Sequence, residues 1–208
     1  MFIINSGIIY SLKPLSLVLK TALVLLIASS TIAQTPKAPL FTLLGSNHTG
    51  VDFINKIFEN DSMNILAHPN HWNGGGIAIG DINNDGLADV YLSGNTVADK
   101  LYLNQGNLTF KDISSAAGID WFSGWKTGVC LVDINKDGFL DIYVSRAGPN
   151  SYSPSRSSNL LFVNNGDETF SERAEKWGIK DVGLSIQSVF FDMDNDGDQD
   201  LFVVNNNH

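Results

Sequence analysis

Short apolar runs separated by polar, glycine-containing turns set the pattern of residues 74–208. "GGGIAIG", "DVYLSGN", "KLYLN" and "LTF" come first; "GVCLV", "DIYVS", "NLLFVN" and "ETF" repeat the series; "SVFF" and "DLFVV" begin it again. These runs are rich in β-branched and aromatic residues and are bounded by Gly, Asn and Asp, which are strand and turn signals. One unit therefore predicts strand, acidic loop, strand, turn, strand, tight turn at "NQGN" or "NNGD", and strand. A short turn or helical piece follows at "SSAAGI" or "AEKWGI". Asn165–Gly166 is a hairpin signal within the second unit.

The acidic loop recurs as "DINNDGLAD" (Asp81–Asp89), "DINKDGFLD" (Asp133–Asp141) and "DMDNDGDQD" (Asp192–Asp200). The second unit is longer mainly because "RAGPNSYSPSRSS" expands one connection. Four strands per repeated unit is what a β-propeller blade needs, whereas a β-sandwich does not predict the repeat. The fold class expected is all-β: a partial β-propeller of about two and a half four-stranded blades, with the acidic loop in the first hairpin of each. The blades run over about 74–122, about 123–182 and, incomplete, about 183–208. Propellers close with about four to eight blades. The expectation is therefore a portion of a longer protein, or a chain that assembles with other copies.

Residues 1–33 read as an export signal. Lys13 and Lys20 precede or open onto "TALVLLIASSTIA", an uncharged run too short to span a bilayer comfortably, and Thr31 and Ala33 suit cleavage after Ala33. A secreted or cell-surface location follows, with membrane attachment if the segment is retained as an anchor. Residues 34–73 form a lead-in, of which "TGVDFINKIFENDSMNIL" either pairs as an extra strand or lies over the first blade.

The formal net charge of −9 excludes a phosphate-neutralising nucleic-acid surface and suits a cation binder. Cys130 is the single cysteine, so no intrachain disulfide exists; in "GVCLV" it reads as a small buried hydrophobe.

The loops supply oxygen ligands at alternate positions. Asp81, Asn83 and Asp85 stand at positions one, three and five; Gly86 permits the sharp turn, Leu87 offers its carbonyl and Asp89 closes the loop. The same assignment holds for Asp133, Asn135, Asp137, Phe139 (carbonyl) and Asp141, and for Asp192, Asp194, Asp196, Asp198 (carbonyl) and Asp200. Ligation by oxygen without nitrogen or sulfur points to Ca²⁺, with about three sites expected. An EF-hand is excluded, because its twelfth position is Glu and here it is Leu92, Val144 or Val203. Position two is apolar each time (Ile82, Ile134, Met193) and should point into the sheet, while Lys136 and Asn195 at position four should face water. Like charges about 4 Å apart repel by roughly 1 kcal/mol in water and about 4 kcal/mol at an effective dielectric of 20, so an empty loop is strained and calcium should stabilise the fold.

With these loops between "GGGIAIG"-type and "DVYLSGN"-type strands, residues 72–208 resemble the FG-GAP or VCBS-type repeat family, and in particular the bacterial relatives of cartilage acidic protein. The resemblance implies a propeller, calcium in the loops, and an adhesive or ligand-binding role. Other features carry less. His68 and His71 have HxxH spacing but no third ligand at a diagnostic distance. The glycines of "GGGIAIG" suit close strand packing rather than a dinucleotide fingerprint. Trp72, Trp121, Trp125 and Trp177 suit packing positions, and sequons stand at Asn47, Asn60 and Asn107. No nucleophile elbow is present. The function expected is a non-enzymatic calcium-binding module for adhesion, or for binding an extracellular protein or glycan. The alternative is an accessory portion of a larger secreted polysaccharide-active enzyme.

Overall fold

The computed structural model describes residues 3–5, 8–10, 39–61, 64–66, 73–120, 124–147 and 157–206. Lys13, Lys20, the apolar run to Ala33, His68, His71, Trp72 and Trp121 lie outside the described residues. Two units are distinguished, Met1–Leu43 and Leu44–His208. The first contains an antiparallel hairpin of β1 (Ile3–Asn5) and β2 (Ile8–Tyr10). No described helix is long and apolar enough to cross a membrane.

The second unit carries ten strands in three antiparallel sheets. Sheet one is β3 (Ile77–Gly80), β4 (Asp89–Leu92), β5 (Lys100–Asn104) and β6 (Phe110–Asp112), paired in chain order. Sheet two repeats that order with β7 (Lys126–Val132), β8 (Asp141–Arg146), β9 (Leu160–Asn164) and β10 (Phe170–Glu172). Sheet three is the hairpin of β11 (Ser185–Phe191) and β12 (Asp200–Asn205). The acidic loop joins the first two strands of every sheet in one register: Gly80 pairs with Asp89, Val132 with Asp141 and Phe191 with Asp200.

Side chains alternate faces along a strand, so each sheet has a forward face toward the next sheet and a rear face toward the one before. Tyr91, Leu101, Leu103 and Ile82 from the forward face of sheet one meet Val129, Ile142, Val144, Leu160 and Phe162 from the rear of sheet two. Tyr143, Leu161 and Cys130 of sheet two meet Phe190 and Leu201 of sheet three. Burial pushes the Cys130 thiol up to about 12, so it packs here as an inert hydrophobe. First strands run side by side, β7 against both β3 and β11. A Cβ on Gly76 would stand 2.6 Å from the Thr127 carbonyl oxygen, and one on Gly128 would stand 2.7 Å from that of Ile186. The glycines therefore permit close approach of neighbouring sheets, as the sequence suggested.

The lead-in has a single helical turn, α1 (Ser46–Thr49), and then lies over sheet one. Tyr102 donates to Asp52 at 3.1 Å, Asn55 donates to Asn95 at 2.6 Å, and Thr96 donates to the Lys56 carbonyl at 2.8 Å. The expected tight turn at Asn165–Gly166 is instead a five-residue loop between Asn164 and Phe170. Asn164 accepts the Gly166 amide, Asp167 accepts the Thr169 amide, and the Asn165 amide donates to the Thr169 carbonyl at 3.0 Å to close the longer loop. "SSAAGI" and "AEKWGI" are turns, not helices.

The ion pair of one seam is replaced by uncharged side chains at the corresponding positions of the next. Between sheets one and two, buried Asp99 accepts from Tyr91 at 2.7 Å and from the Gly94 amide at 2.9 Å, and pairs with buried Lys126 at 2.9 Å. At the corresponding place between sheets two and three, Asn159 donates to Tyr143 at 3.1 Å and to Ser185 at 2.9 Å. Asn159 also accepts the Arg146 amide.

Candidate metal centre

Each loop is wound around its first carboxylate. Asp81, Asp133 and Asp192 accept the amides of Gly86, Gly138 and Gly197 at 2.8, 2.9 and 3.0 Å. Those glycines have φ of 85, 88 and 89°, the left-handed region that a Cβ penalises. Position four is left-handed as well: Asn84, Lys136 and Asn195 have φ of 60, 58 and 61°. Asn enters this region more readily than Lys. Lys136 and Asn195 are exposed, as expected. Asn84 does more, donating to the Gly138 carbonyl of the next loop at 3.0 Å.

The position-five carboxylate folds back over the bend. Asp85, Asp137 and Asp196 accept the amides of Leu87, Phe139 and Asp198 at 2.8, 2.9 and 3.0 Å. Hydrogen bonds from Asp198, helped by the Lys136 charge, hold the Asp196 carboxyl below its ordinary pKa; the same contact raises that of Asp198.

Position nine ties the loop to its sheet. Asp89 accepts the Ile82 amide at 2.8 Å and the Asn104 amide at 2.8 Å. Asp141 accepts the Ile134 amide at 3.0 Å and the Asn164 amide at 2.8 Å. Asp200 accepts the Met193 amide at 2.8 Å. Burial pushes the carboxyl pKa of both Asp89 and Asp141 up, with the amides opposing it. An ionised carboxylate offers about four acceptor sites, so these bonds leave capacity for a cation.

The loops differ at positions one and three. In the first two, the position-one carboxylate also accepts the position-five amide, Asp81 from Asp85 at 3.1 Å and Asp133 from Asp137 at 3.0 Å. Asn83 and Asn135 donate to Asp85 and Asp137 at 3.1 and 2.7 Å. In all three loops position three takes the position-five amide, Asn83 at 3.2 Å, Asn135 at 3.1 Å and Asp194 at 3.2 Å. In the third, Asp192 Oδ1 is buried without a hydrogen-bond partner. Oxygens of Asp192, Asp194 and Asp200 lie within 4.8 Å of one another, and Asp196 and Asp198 stand outside that group.

Asn104 and Asn164 are supporting residues that the loop motif does not reveal. Each ends the third strand of its sheet and holds the position-nine carboxylate through its amide. Asn164 also donates to the Ile82 carbonyl of the preceding loop at 2.9 Å. Their signal was present in "KLYLN" and "LLFVN", which end on the same residue. Beside the first two loops lies a cleft of about 270 Å³ whose walls include Asn83, Phe139, Asp167 and Glu168.

The FG-GAP-like repeat family matches residues 81–144 and 150–203, a span that takes in all three loops. The chain belongs to that family. Among proteins similar to this FG-GAP-like repeat chain is cartilage acidic protein 1 of Xenopus tropicalis, 34% identical over 141 residues, which is 66% of this chain and 20% of that protein. The Mus musculus protein of the same name is 36% identical over 77 residues, which is 36% of this chain and 12% of that protein. The match to the Homo sapiens protein also extends over 77 residues, at 34% identity. The chain thus spans 20% or less of the length of these relatives.

Proposed function

We propose that this chain is a non-catalytic, exported module whose three loops hold structural Ca²⁺ within a β-propeller-type array. The observation that carries the calcium reading is the orphaned Asp192 Oδ1 among the oxygens of Asp194 and Asp200. A buried oxygen without a donor is costly unless a cation or water completes it, and a cluster of carboxylates favours the cation. About three ions are held, one per loop. Asp81, Asn83, Asp85 and Asp89 serve the first, and Asp133, Asn135, Asp137 and Asp141 the second. Asp192, Asp194, Asp196 and Asp200 serve the third, with the carbonyls of Leu87, Phe139 and Asp198 as further donors.

Bound calcium neutralises the facing carboxylates and fixes the first hairpin of each blade. The ligand surface beside it is for an extracellular protein or glycan, not a nucleic acid. The net charge of −9 and the similarity to cartilage acidic protein 1 support that choice. Calorimetric titration of the chain with Ca²⁺, run beside thermal melting, tests the metal. Heat from about three sites and a higher Tm are expected. The same melting curve in calcium and in chelator, with no heat, would sink it. Retention on a glycan or surface-protein array, lost in a Glu168→Ala or Phe139→Ala variant of the cleft, tests the ligand surface; retention unaffected by both removes the cleft from it.

A further inference from the structure

Hydrogen bonds join loops one and two to each other. Asn84, at position four of loop one, donates to the Gly138 carbonyl of loop two at 3.0 Å. Asn164 forms the second link. Its amide donates to Asp141 at 2.8 Å, and its side chain donates to the Ile82 carbonyl at 2.9 Å and to the Leu140 carbonyl at 3.3 Å. The Ile82 amide is in turn held by Asp89. A continuous run of bonds thus joins the closing carboxylates of the two loops, from Asp89 through Ile82 and Asn164 to Asp141. Ile82 is 2% and Asn164 is 3% exposed, so water competes little for these bonds. Ile82 and Ile134 both pack into a seam between sheets, as position two was expected to do. Met193, their counterpart in loop three, is 68% exposed instead.

Among the described residues, no hydrogen bond joins loop two to loop three. The place of Asn84 is taken in loop two by Lys136, which meets loop three through charge, acting on Asp196 and Asp198. The bonds between loops one and two end on backbone that a cation would fix. Gly138 precedes Phe139, whose carbonyl is a donor of loop two, and Ile82 lies between Asp81 and Asn83. Order imposed on one loop therefore orders the backbone to which the other is tied. The second loop then has less freedom to lose when it fills.

We infer that loops one and two take up Ca²⁺ as a coupled pair, through Asn84 and Asn164, while loop three fills independently. The inference rests on the reading of the loops as calcium sites. Coupling of this kind is reciprocal: each loop alters the affinity of the other by the same factor.

Nuclear magnetic resonance of the 208-residue chain during a Ca²⁺ titration is the test, with the amides of Gly86, Gly138 and Gly197 reporting the three loops separately. Gly86 and Gly138 are expected to respond over one shared concentration range, more steeply than a single site, and Gly197 over its own. Asp137→Asn, which disables loop two, is expected to weaken binding at Gly86 by about fivefold or more. Asp85→Asn is expected to weaken binding at Gly138 by the same factor, and both variants leave Gly197 unchanged. Asn84→Gly keeps the left-handed backbone, removes one link and is expected to reduce that factor. Three signals that never respond to Ca²⁺ overturn the calcium reading and the coupling with it. Binding at Gly86 that ignores Asp137→Asn overturns the coupling alone and leaves the calcium sites standing. A loss shared equally by Gly197 marks a general loosening of the fold and also overturns the coupling. A factor undiminished by Asn84→Gly overturns the route through Asn84.

Discussion

Asp141 and Asp137 sit in one loop and differ in what they carry. Asp141 is buried and accepts two amides, whereas Asp137 is exposed. Asp141→Ala leaves the Ile134 and Asn164 amides unpaired, which costs about 1–3 kcal/mol per buried group. That loss is expected in chelator as well as in calcium, read as a shift in the urea midpoint. Asp137→Ala is expected to matter mainly when calcium is present. Asn84→Ala removes both the bond to Gly138 and a residue suited to left-handed backbone, and about 1 kcal/mol should be lost in the same assay. The loop positions were legible in the sequence because ligand spacing and the glycine stand within one short segment. The roles of Asn104 and Asn164 were not, because the carboxylates they hold lie on the neighbouring strand and only pairing brings them together.

The seams between sheets give predictions at the scale of elements. Asp99→Asn removes the counter-charge of the buried Lys126 ammonium, which keeps its bond to the Val97 carbonyl, and breaking such a pair costs about 3–5 kcal/mol. Adding Lys126→Ser reproduces the uncharged pair of Asn159 and Ser185, and most of the loss should return in chemical denaturation. Gly76→Ala drives a methyl into the backbone of β7, an overpacking that costs about 1–3 kcal/mol by the same measurement. Strand order was legible because apolar runs and turn residues alternate at short range. The ion pair was not, since Asp99 and Lys126 belong to different sheets and neither position is marked by a motif. The five-residue loop at Asn165 escaped for a related reason: Asn-Gly alone suggests a two-residue turn, and the bonds that close the longer loop become visible only in three dimensions.

For the molecule as a whole, stability should respond to pH in opposite senses with and without calcium at the position-nine sites. Burial raises the Asp89 and Asp141 pKa values in the folded protein. Their contribution to stability in chelator is present below the ordinary carboxylate pKa of about 3.9 and is lost as pH rises through the raised values. Calcium binds the ionised carboxylates, so its stabilisation grows over that same window. The rise in Tm on adding calcium is therefore expected to shrink as pH falls, beginning above the usual carboxylate range. A calcium effect on Tm unchanged between neutral and acidic buffer would contradict this. The repeat and the all-β class were legible at this scale, while the position of the lead-in was not: it is settled by single hydrogen bonds at Asp52, Asn55 and Lys56 rather than by any periodic pattern.

The common register of the loops has a consequence for how such a chain can change over generations. Gly80 and Asp89, Val132 and Asp141, and Phe191 and Asp200 are direct partners, so every loop leaves and re-enters its sheet at the same point. A loop is then a cassette, replaceable by a sister loop without shifting a strand. Drift within one copy is felt in the next through single contacts, the Asn84 bond to the Gly138 carbonyl and the Asn164 bond to the Ile82 carbonyl. In the present chain "DMDNDGDQD" has acids at positions three and seven where "DINNDGLAD" and "DINKDGFLD" have none, while all three keep the same frame.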